Sequence, residues 1–200
     1  MKKIIISPSI YIDKHDQMYS RVDLNWYKYV DKLNFLLQKI PIQKNYTLNK
    51  NHKLAGIIFS GGNDLFNLKK KKENLIRDNF EKKLFKLINK LNIPALFICR
   101  GMQFLAKMEN LKLVKVKNHI EKKQSIFLLN KKMLSVNSFH NYAIFNINKN
   151  YDVIATHKDG SIEIMKHKKK KYLCMMFHPE RKLNDHKFVD DMIKKFFKLK

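Results

Sequence analysis

Three side chains that could carry out nucleophilic chemistry lie directly after apolar runs. Cys99 follows residues 95–98, and His178 and Glu180 follow residues 172–177. In an extended segment residues two apart point the same way, and the proline between His178 and Glu180 favours that form. An imidazole and a carboxylate on one face suit a base and its orienting group beside a cysteine nucleophile. Taken alone, Cys99 fits a buried core thiol as well as a nucleophile, and His-Pro-Glu fits a surface turn.

A third apolar run ends in glycine. Gly61 and Gly62 follow residues 55–59 (AGIIF), and glycine lets backbone N–H groups approach a ligand as closely as an oxyanion hole requires. A Gly-Gly pair is also an ordinary turn signal. Three apolar runs that end in Gly-Gly, Cys and His-x-Glu, in that order, indicate an active site more specifically than any one of them alone. They favour a site at the carboxyl edge of a sheet. A helix starting after Cys99 would stabilise its thiolate.

The elements that must position these groups alternate between short apolar runs and helical patterns, which predicts a mostly parallel sheet covered by helices. Strands are expected at residues 4–6, 55–59, 95–98 and 172–177, with shorter ones near 111–116 and 125–129. Residues 153–157 and 161–165 flank Lys158-Asp159-Gly160 and predict a hairpin. Helices are expected over 26–40, 76–91, from 101, and over 188–197. No linker or repeat divides the chain, so we expect one α/β domain over residues 1–200.

Composition excludes several classes of protein. The formal net charge is +25, yet the chain has four arginines and the rest of its positive charge is lysine. Arginine binds phosphates and guanine edges through its planar guanidinium. Because arginine is scarce here, we expect no nucleic acid partner. The hydrophobic content of 44% excludes a disordered chain. No uncharged run approaches the roughly 20 residues that span a bilayer, and no cleavage site follows the first apolar stretch. Two cysteines form no disulfide framework, so we expect a cytoplasmic protein without membrane contact.

Together these motifs resemble the class I glutamine amidotransferases, in which Cys, His and Glu hydrolyse a γ-glutamyl amide. SGGND at 60–64 resembles the GGxD form of the γ-glutamyl hydrolase-like branch, and VNSFHNYAI at 136–144 resembles its VNSxHHQAI. Arg21 and the aromatic helix after it are similar to that branch's RxxY-type region. The likeness runs from near Ile6 to Arg181, and CRGMQ and FHPE are its most specific parts.

The resemblance implies a flavodoxin-like three-layer sandwich with a C-terminal antiparallel hairpin extension. It implies Cys99 as nucleophile, His178 as base and Glu180 as its orienting group, with the backbone N–H groups of Gly62 and Arg100 as oxyanion hole. It also implies substrate contacts from Gly61, Asn63, Gln103, Asn137, Ser138, His140 and Arg21. No cofactor and no metal are implied, and the remaining histidines show no metal-ligand spacing.

Three positions depart from the family pattern. Phe97 stands where the bend before the cysteine usually has a small residue, and we expect looser packing beside it. Asn141 and Tyr142 replace the usual His-Gln, so substrate contacts on that side are expected to differ.

The leading hypothesis is a stand-alone hydrolase acting on a small, anionic γ-glutamyl substrate. A γ-glutamyl-amine hydrolase is an alternative. Another is a glutaminase subunit that passes ammonia to a synthase, although such subunits usually carry GGPG where this chain has GGND; we therefore expect no obligate synthase partner. A third alternative, from a different class, is a nucleic-acid-binding module on the same scaffold.

Overall fold

The computed structural model describes residues 1–43, 46–48 and 53–198, without the side chains of 121 and 122. Its helices are α1 Leu24–Lys32, α2 Lys72–Leu91, α3 Arg100–Met108 and α4 His186–Lys198. Its strands are β1 Lys3–Ser7, β2 Ser9–Ile12, β3 Met18–Arg21, β4 Leu36–Lys39, β5 Leu54–Phe59, β6 Ala95–Ile98, β7 Val114–Lys115, β8 Ile120–Leu128, β9 Met133–Phe139, β10 Tyr142–Ala143, β11 Tyr151–His157, β12 Ile162–His167 and β13 Tyr172–Met175.

A nine-stranded sheet forms the centre of the molecule, in the order β4-β1-β5-β6-β13-β12-β11-β8-β9. The first five strands in that order are parallel, and the remaining strands continue the sheet in antiparallel fashion. The expected hairpin is β11–β12, and its turn contains Gly160 at a φ of 87°. Two small ribbons, β2–β3 and β7–β10, flank the main sheet.

Two separate hydrophobic cores show that helices cover both faces of the sheet. Trp26 and Val30 of α1 share one core with Val189 and Ile193 of α4. The other core is formed by α2 and α3 with the opposite strand faces. The strands between them are buried on both sides, which explains their continuous apolar runs. The expected three-layer sandwich with an antiparallel extension is therefore confirmed.

The prediction of one helix over residues 26–40 was wrong. α1 ends at Lys32, and Asn34 takes a left-handed φ of 63°. The N–H of Phe35 then bonds to the carbonyl of Val30 at 3.1 Å, a bond typical of helix C-termini. The next residues form β4, which pairs with β1. The apolar stripe continued past the helix because Leu33 and Ile40 on either side of β4 are buried in the cores, although β4 itself is mostly exposed.

The three strand ends that carry the candidate site are neighbours in the sheet. β5, β6 and β13 are adjacent and parallel, so their carboxyl ends open at one edge. Gly101 permits this closeness, since a Cβ there would lie 2.1 Å from the carbonyl oxygen of Phe59. No helix in the described part of the chain is long and apolar enough to cross a membrane.

Candidate active site

Cys99 lies at a sharp bend between β6 and α3. Its φ of 50° and ψ of −104° are strained for a residue with a side chain. The bend is held by two backbone bonds: Cys99 N donates to Met175 O at 2.8 Å, and Gln103 N donates to Cys99 O at 3.1 Å. Arg100 begins α3, so its backbone N–H has no intrahelical partner. The geometry therefore combines a thiol with free amide donors.

The imidazole of His178 lies beside a carboxylate. Its Nδ1 lies 2.7 Å from Glu180 Oε1, and both side chains are buried. Burial disfavours the imidazolium, but the negative charge of the Cys99 thiolate and hydrogen bonds to Cys99 and Glu180 outweigh it and raise the pKa of His178 to about 10. This environment therefore favours the protonated imidazole of His178.

The position of His178 is fixed from two sides. The side chain of Asn137 donates to His178 O at 2.8 Å and accepts from His178 N at 2.9 Å. On the other side the imidazole packs on the backbone of Gly61, where an added Cβ would lie 2.5 Å from His178 Cε1. Glycine is therefore required at position 61 for the ring to occupy this place.

Arg77 of α2 binds the backbone of the Gly-Gly segment. Its side chain is fully buried and donates to Ser60 O at 2.7 Å, to Gly61 O at 2.9 Å and to Glu81 Oε1 at 3.0 Å. With the carbonyls of 60 and 61 directed at a guanidinium, the following amide of Gly62, at a φ of 104°, is held in one orientation. No motif in the sequence had singled out Arg77.

Arg77 belongs to a buried charge cluster with Asp78, Glu81 and Arg100. The side chain of Arg100 donates to both Asp78 and Glu81. The cluster thus joins α2 to the start of α3, and it supports both amides expected to form the oxyanion hole. Each charge is paired, as burial of a charge demands.

Several side chains expected to contact substrate are occupied by structural bonds. Asn63 accepts from Ile10 N at 2.8 Å and donates to Ile10 O at 2.7 Å. Ser138 is fully buried and donates to His119 O at 2.7 Å. Gln103 donates to Tyr142 O at 3.1 Å. These groups, like Asn137, support the site from behind. A direct substrate contact by any of these side chains would compete with such a bond.

His140 is buried beside Glu163, and its imidazole is directed to that carboxylate. Arg21 does reach the site: with Ser9, Gly61, Gly62, His178 and Arg181 it lines a cavity of about 190 Å³. Arg181 also lines an adjoining cavity of about 360 Å³, and its guanidinium lies over the ring of Phe139. Arg181 directly follows the His-Pro-Glu motif, and this position could have identified it as a candidate site residue from the sequence.

The expectation of looser packing around Phe97 does not hold. Phe97 is fully buried and stacks on Phe59 with ring centroids 4.7 Å apart. Phe85 and Tyr172 contact its edges. Cys174 is the second thiol; it is fully buried in β13, and burial raises its pKa well above the ordinary value. Of the two cysteines, Cys99 therefore remains the candidate nucleophile.

The fold is that of the glutamine amidotransferases. A candidate GMP synthase subunit from Thermoplasma acidophilum superimposes with a TM-score of 0.69 at 19% identity, covering 98% of this chain and 93% of the other. A glutamine amidotransferase from Thermotoga maritima gives a TM-score of 0.67 at 19% identity, over 90% and 76% of the two chains.

The sequence model of the Peptidase C26 family matches residues 10–180. The chain belongs to this class I glutamine amidotransferase-like family. It is 32% identical over 172 residues to the gamma-glutamyl-CDP-amidate hydrolase of Campylobacter jejuni, covering 84% of each chain. It is 30% identical over 153 residues to the glutamine-hydrolysing GMP synthase subunit of Pyrococcus abyssi, covering 72% of this chain and 75% of that one.

Proposed function

We propose that this protein is a cysteine-dependent hydrolase that cleaves the γ-glutamyl amide of CDP-L-glutamine, releasing glutamate and cytidine diphosphoramidate. The observation that carries the proposal is the strained bend that sets Cys99 against His178, with Glu180 bonded to the other side of the imidazole. Membership of the family supports the reaction class, and the named Campylobacter relative supports the substrate.

The chemistry proceeds in two halves. Cys99 gives its proton to His178, and the thiolate attacks the γ-carbonyl carbon. The backbone N–H groups of Gly62 and Arg100 stabilise the oxyanion, and Glu180 stabilises the imidazolium. His178 then protonates the leaving nitrogen as the C–N bond breaks, which leaves a glutamyl thioester. In the second half His178 takes a proton from water, the hydroxide attacks the thioester, and glutamate and the thiol are released.

Two arginines beside the cavity suit an anionic leaving group, while the carboxylates of Asp23 and Glu180 also line it. Arg21 and Arg181 line the cavity beside His178, and Lys182 joins Arg181 in the adjoining one. A diphosphate leaving from the γ-amide would pass these cations, and charge-assisted bonds to phosphate are among the strongest a protein forms. The net charge of +25 would further raise the encounter rate with an anionic substrate.

A second candidate function is the supply of ammonia from glutamine to a synthase. The likeness to the Pyrococcus GMP synthase subunit favours it. It uses the same thiol, imidazole and carboxylate, so the two functions differ in the leaving group and in the need for a partner. The GGND sequence at 61–64 and the arginines beside His178 favour the stand-alone reaction.

The test is glutamate release by the purified chain from CDP-L-glutamine, glutamine and γ-glutamyl amines. We expect the highest kcat/KM for CDP-L-glutamine without any partner. Cys99→Ala should lower kcat by at least about 10⁴-fold, as loss of a nucleophile does, and the matched variant Cys174→Ala should retain activity. Full activity in Cys99→Ala would contradict the mechanism. A preference for glutamine that rises on adding a synthase would favour the second candidate.

A further inference from the structure

A cluster outside the catalytic site brings together His119, His140 and Glu163. His119 directly precedes β8, His140 directly follows β9, and Glu163 lies in β12. All three are buried, Glu163 completely. Glu163 Oε1 lies 3.5 Å from His140 Nε2 and 3.9 Å from His119 Nδ1. The mechanism above uses none of them.

The neighbours of each imidazole fix which nitrogen carries the proton. His119 Nε2 lies 2.8 Å from Asp159 Oδ2. Because that carboxylate accepts only, the neutral imidazole of His119 donates from Nε2 and has its lone pair on Nδ1.

The second imidazole is oriented in the same way. His140 Nδ1 lies 3.1 Å from Tyr142 O, and a carbonyl can only accept. In its neutral form, the form that binds a metal, His140 therefore donates from Nδ1 and has its lone pair on Nε2. Both lone pairs lie on the nitrogens nearest to the Glu163 carboxylate.

Three hydrogen-bond acceptors thus converge in a buried space. Within the described residues, His140 Nε2 and both oxygens of Glu163 have no hydrogen-bond partner. Unpaired buried acceptors, and above all a carboxylate, are costly, whereas a cation between them satisfies all three. Ligands about 2.0 Å from a tetrahedral zinc lie about 3.3 Å apart, close to the 3.5 Å and 3.9 Å measured here.

We propose that His119, His140 and Glu163 bind one divalent transition-metal ion, with zinc as the best match. A set of two imidazole nitrogens and one carboxylate binds zinc in preference to calcium or magnesium. Asp159 and the carbonyl of Tyr142 hold the outer nitrogens of the two imidazoles, as outer-shell groups do in metal sites.

A fourth ligand and an entry path are present. Gln124 is buried with its Oε1 unpartnered among the described residues, and its amide lies 3.4 Å from His119 Nδ1. Rotation of the amide by half a turn would present that oxygen to the ion. His119, Gln124 and Asp159 line a cavity of about 590 Å³ through which an ion could enter. Because the ligands lie about 20 residues apart in the chain, at the ends of β8 and β9 and within β12, their spacing along the chain carries no metal signature.

The ion would also stabilise the wall of the catalytic site. Tyr142 O, which holds His140, also accepts from Gln103. Ser138 bonds to the carbonyl of His119, and its neighbour Asn137 holds His178. The expected role is therefore structural, and it is independent of the proposed reaction.

The test is zinc titration of the tag-free, chelator-treated Cys99→Ala protein, in which the catalytic thiol cannot bind the metal. We expect one equivalent to bind, measured by competition with a chromophoric chelator. Cobalt should give visible absorption without a thiolate charge-transfer band. Glu163→Gln and His140→Gln should each weaken zinc binding by at least about 100-fold, and Asp159→Asn by about 10- to 100-fold.

The matched control is His157→Gln. His157 lines the same cavity and lies 3.0 Å from Asp159 Oδ1, but it is outside the proposed ligand set. Zinc affinity should stay within a few-fold of that of the parent protein.

Circular dichroism checks that each variant is folded. The metal content of the unsubstituted protein as purified gives a measurement free of substitutions. Failure of the Cys99→Ala protein to bind zinc, or binding that survives both Glu163→Gln and His140→Gln, would overturn the proposal. Loss of binding in His157→Gln alone would also overturn it.

Discussion

Replacing Arg77 with lysine tests whether the buried guanidinium positions the oxyanion hole. Arg77 donates to both backbone carbonyls of the segment before Gly62, to the side chains of Ser60 and Asn63, and to Glu81. Lysine keeps the positive charge, so the charge balance of the buried cluster is unchanged. It has three donors on one atom and cannot reproduce the planar fork. The substitution therefore isolates geometry from charge.

The magnitude follows from the bonds that are lost. At least two charge-assisted hydrogen bonds disappear and leave buried acceptors, at about 1.5–3 kcal/mol each, so the free energy of unfolding should fall by about 3–6 kcal/mol. For the folded enzyme, a misaligned Gly62 amide amounts to the loss of one oxyanion donor. Such a loss lowers kcat by about 10²–10³-fold. KM should change little, because the oxyanion forms only in the transition state.

The assay measures kcat and KM for glutamate release, with urea unfolding to establish the folded fraction. The matched control is Lys107→Gln. Lys107 pairs with Asp78 at 3.0 Å, is partly exposed, and joins the same charge cluster through Asp78 rather than through the Gly-Gly segment. Its loss should cost about 1 kcal/mol or less in stability and leave kcat within about twofold. If folded Arg77→Lys kept kcat within about threefold of the unsubstituted enzyme, Arg77 would have no positioning role.

Three further predictions concern the groups around His178. Its pKa is raised to about 10 from 6.5, so its stabilising contribution is complete below pH 6.5 and is lost as pH rises toward 10; the difference in unfolding free energy between the unsubstituted protein and His178→Gln should shrink over that window, and a constant difference would contradict it. Gly61→Ala should lower kcat at least about 100-fold, because the added methyl would lie 2.5 Å from the imidazole; Gly160→Asn, in a remote turn, is the control, and equal activity in both would refute the packing argument. Arg181→Gln should raise KM for CDP-L-glutamine about 10-fold or more, as loss of a charged hydrogen bond does, while leaving KM for glutamine within about threefold; equal changes for both substrates would show that Arg181 does not bind the leaving group.

Much of the fold could be predicted because its signals are local. The central parallel strands β5 and β6 are short apolar runs buried on both faces, and each ends within two residues of the one that breaks the pattern, Gly61 or Cys99. Adjacent parallel strands bring those residues to one edge whatever lies between them in the chain. The strand β4 was missed because its apolar residues continue the stripe of α1 without a change of composition.

The supporting groups could not be predicted in the same way. Arg77, Asp78 and Glu81 lie on α2 beside an apolar stripe, and by pattern alone they belong to its solvent face. They are buried because the end of β5 and the start of α3 cover them. Asn137 and His119 likewise form hydrogen bonds to residues 41 and 40 positions away in the chain, His178 and Asp159. Such burial depends on tertiary contacts that no local spacing records.

The proposed reacting groups are each held by a side chain or carbonyl of a different element. Arg77 of α2 holds the Gly-Gly segment, Asn137 of β9 holds His178, and the carbonyl of Met175 holds the bend at Cys99. Because these bonds run to backbone atoms, they fix the positions of the reacting groups independently of the substrate. Specificity is then left to the residues that line the cavities, Arg21 and Arg181 among them. Substitutions at these two arginines should therefore alter the choice of leaving group, whereas those at Arg77 or Asn137 should slow the reaction of every substrate alike.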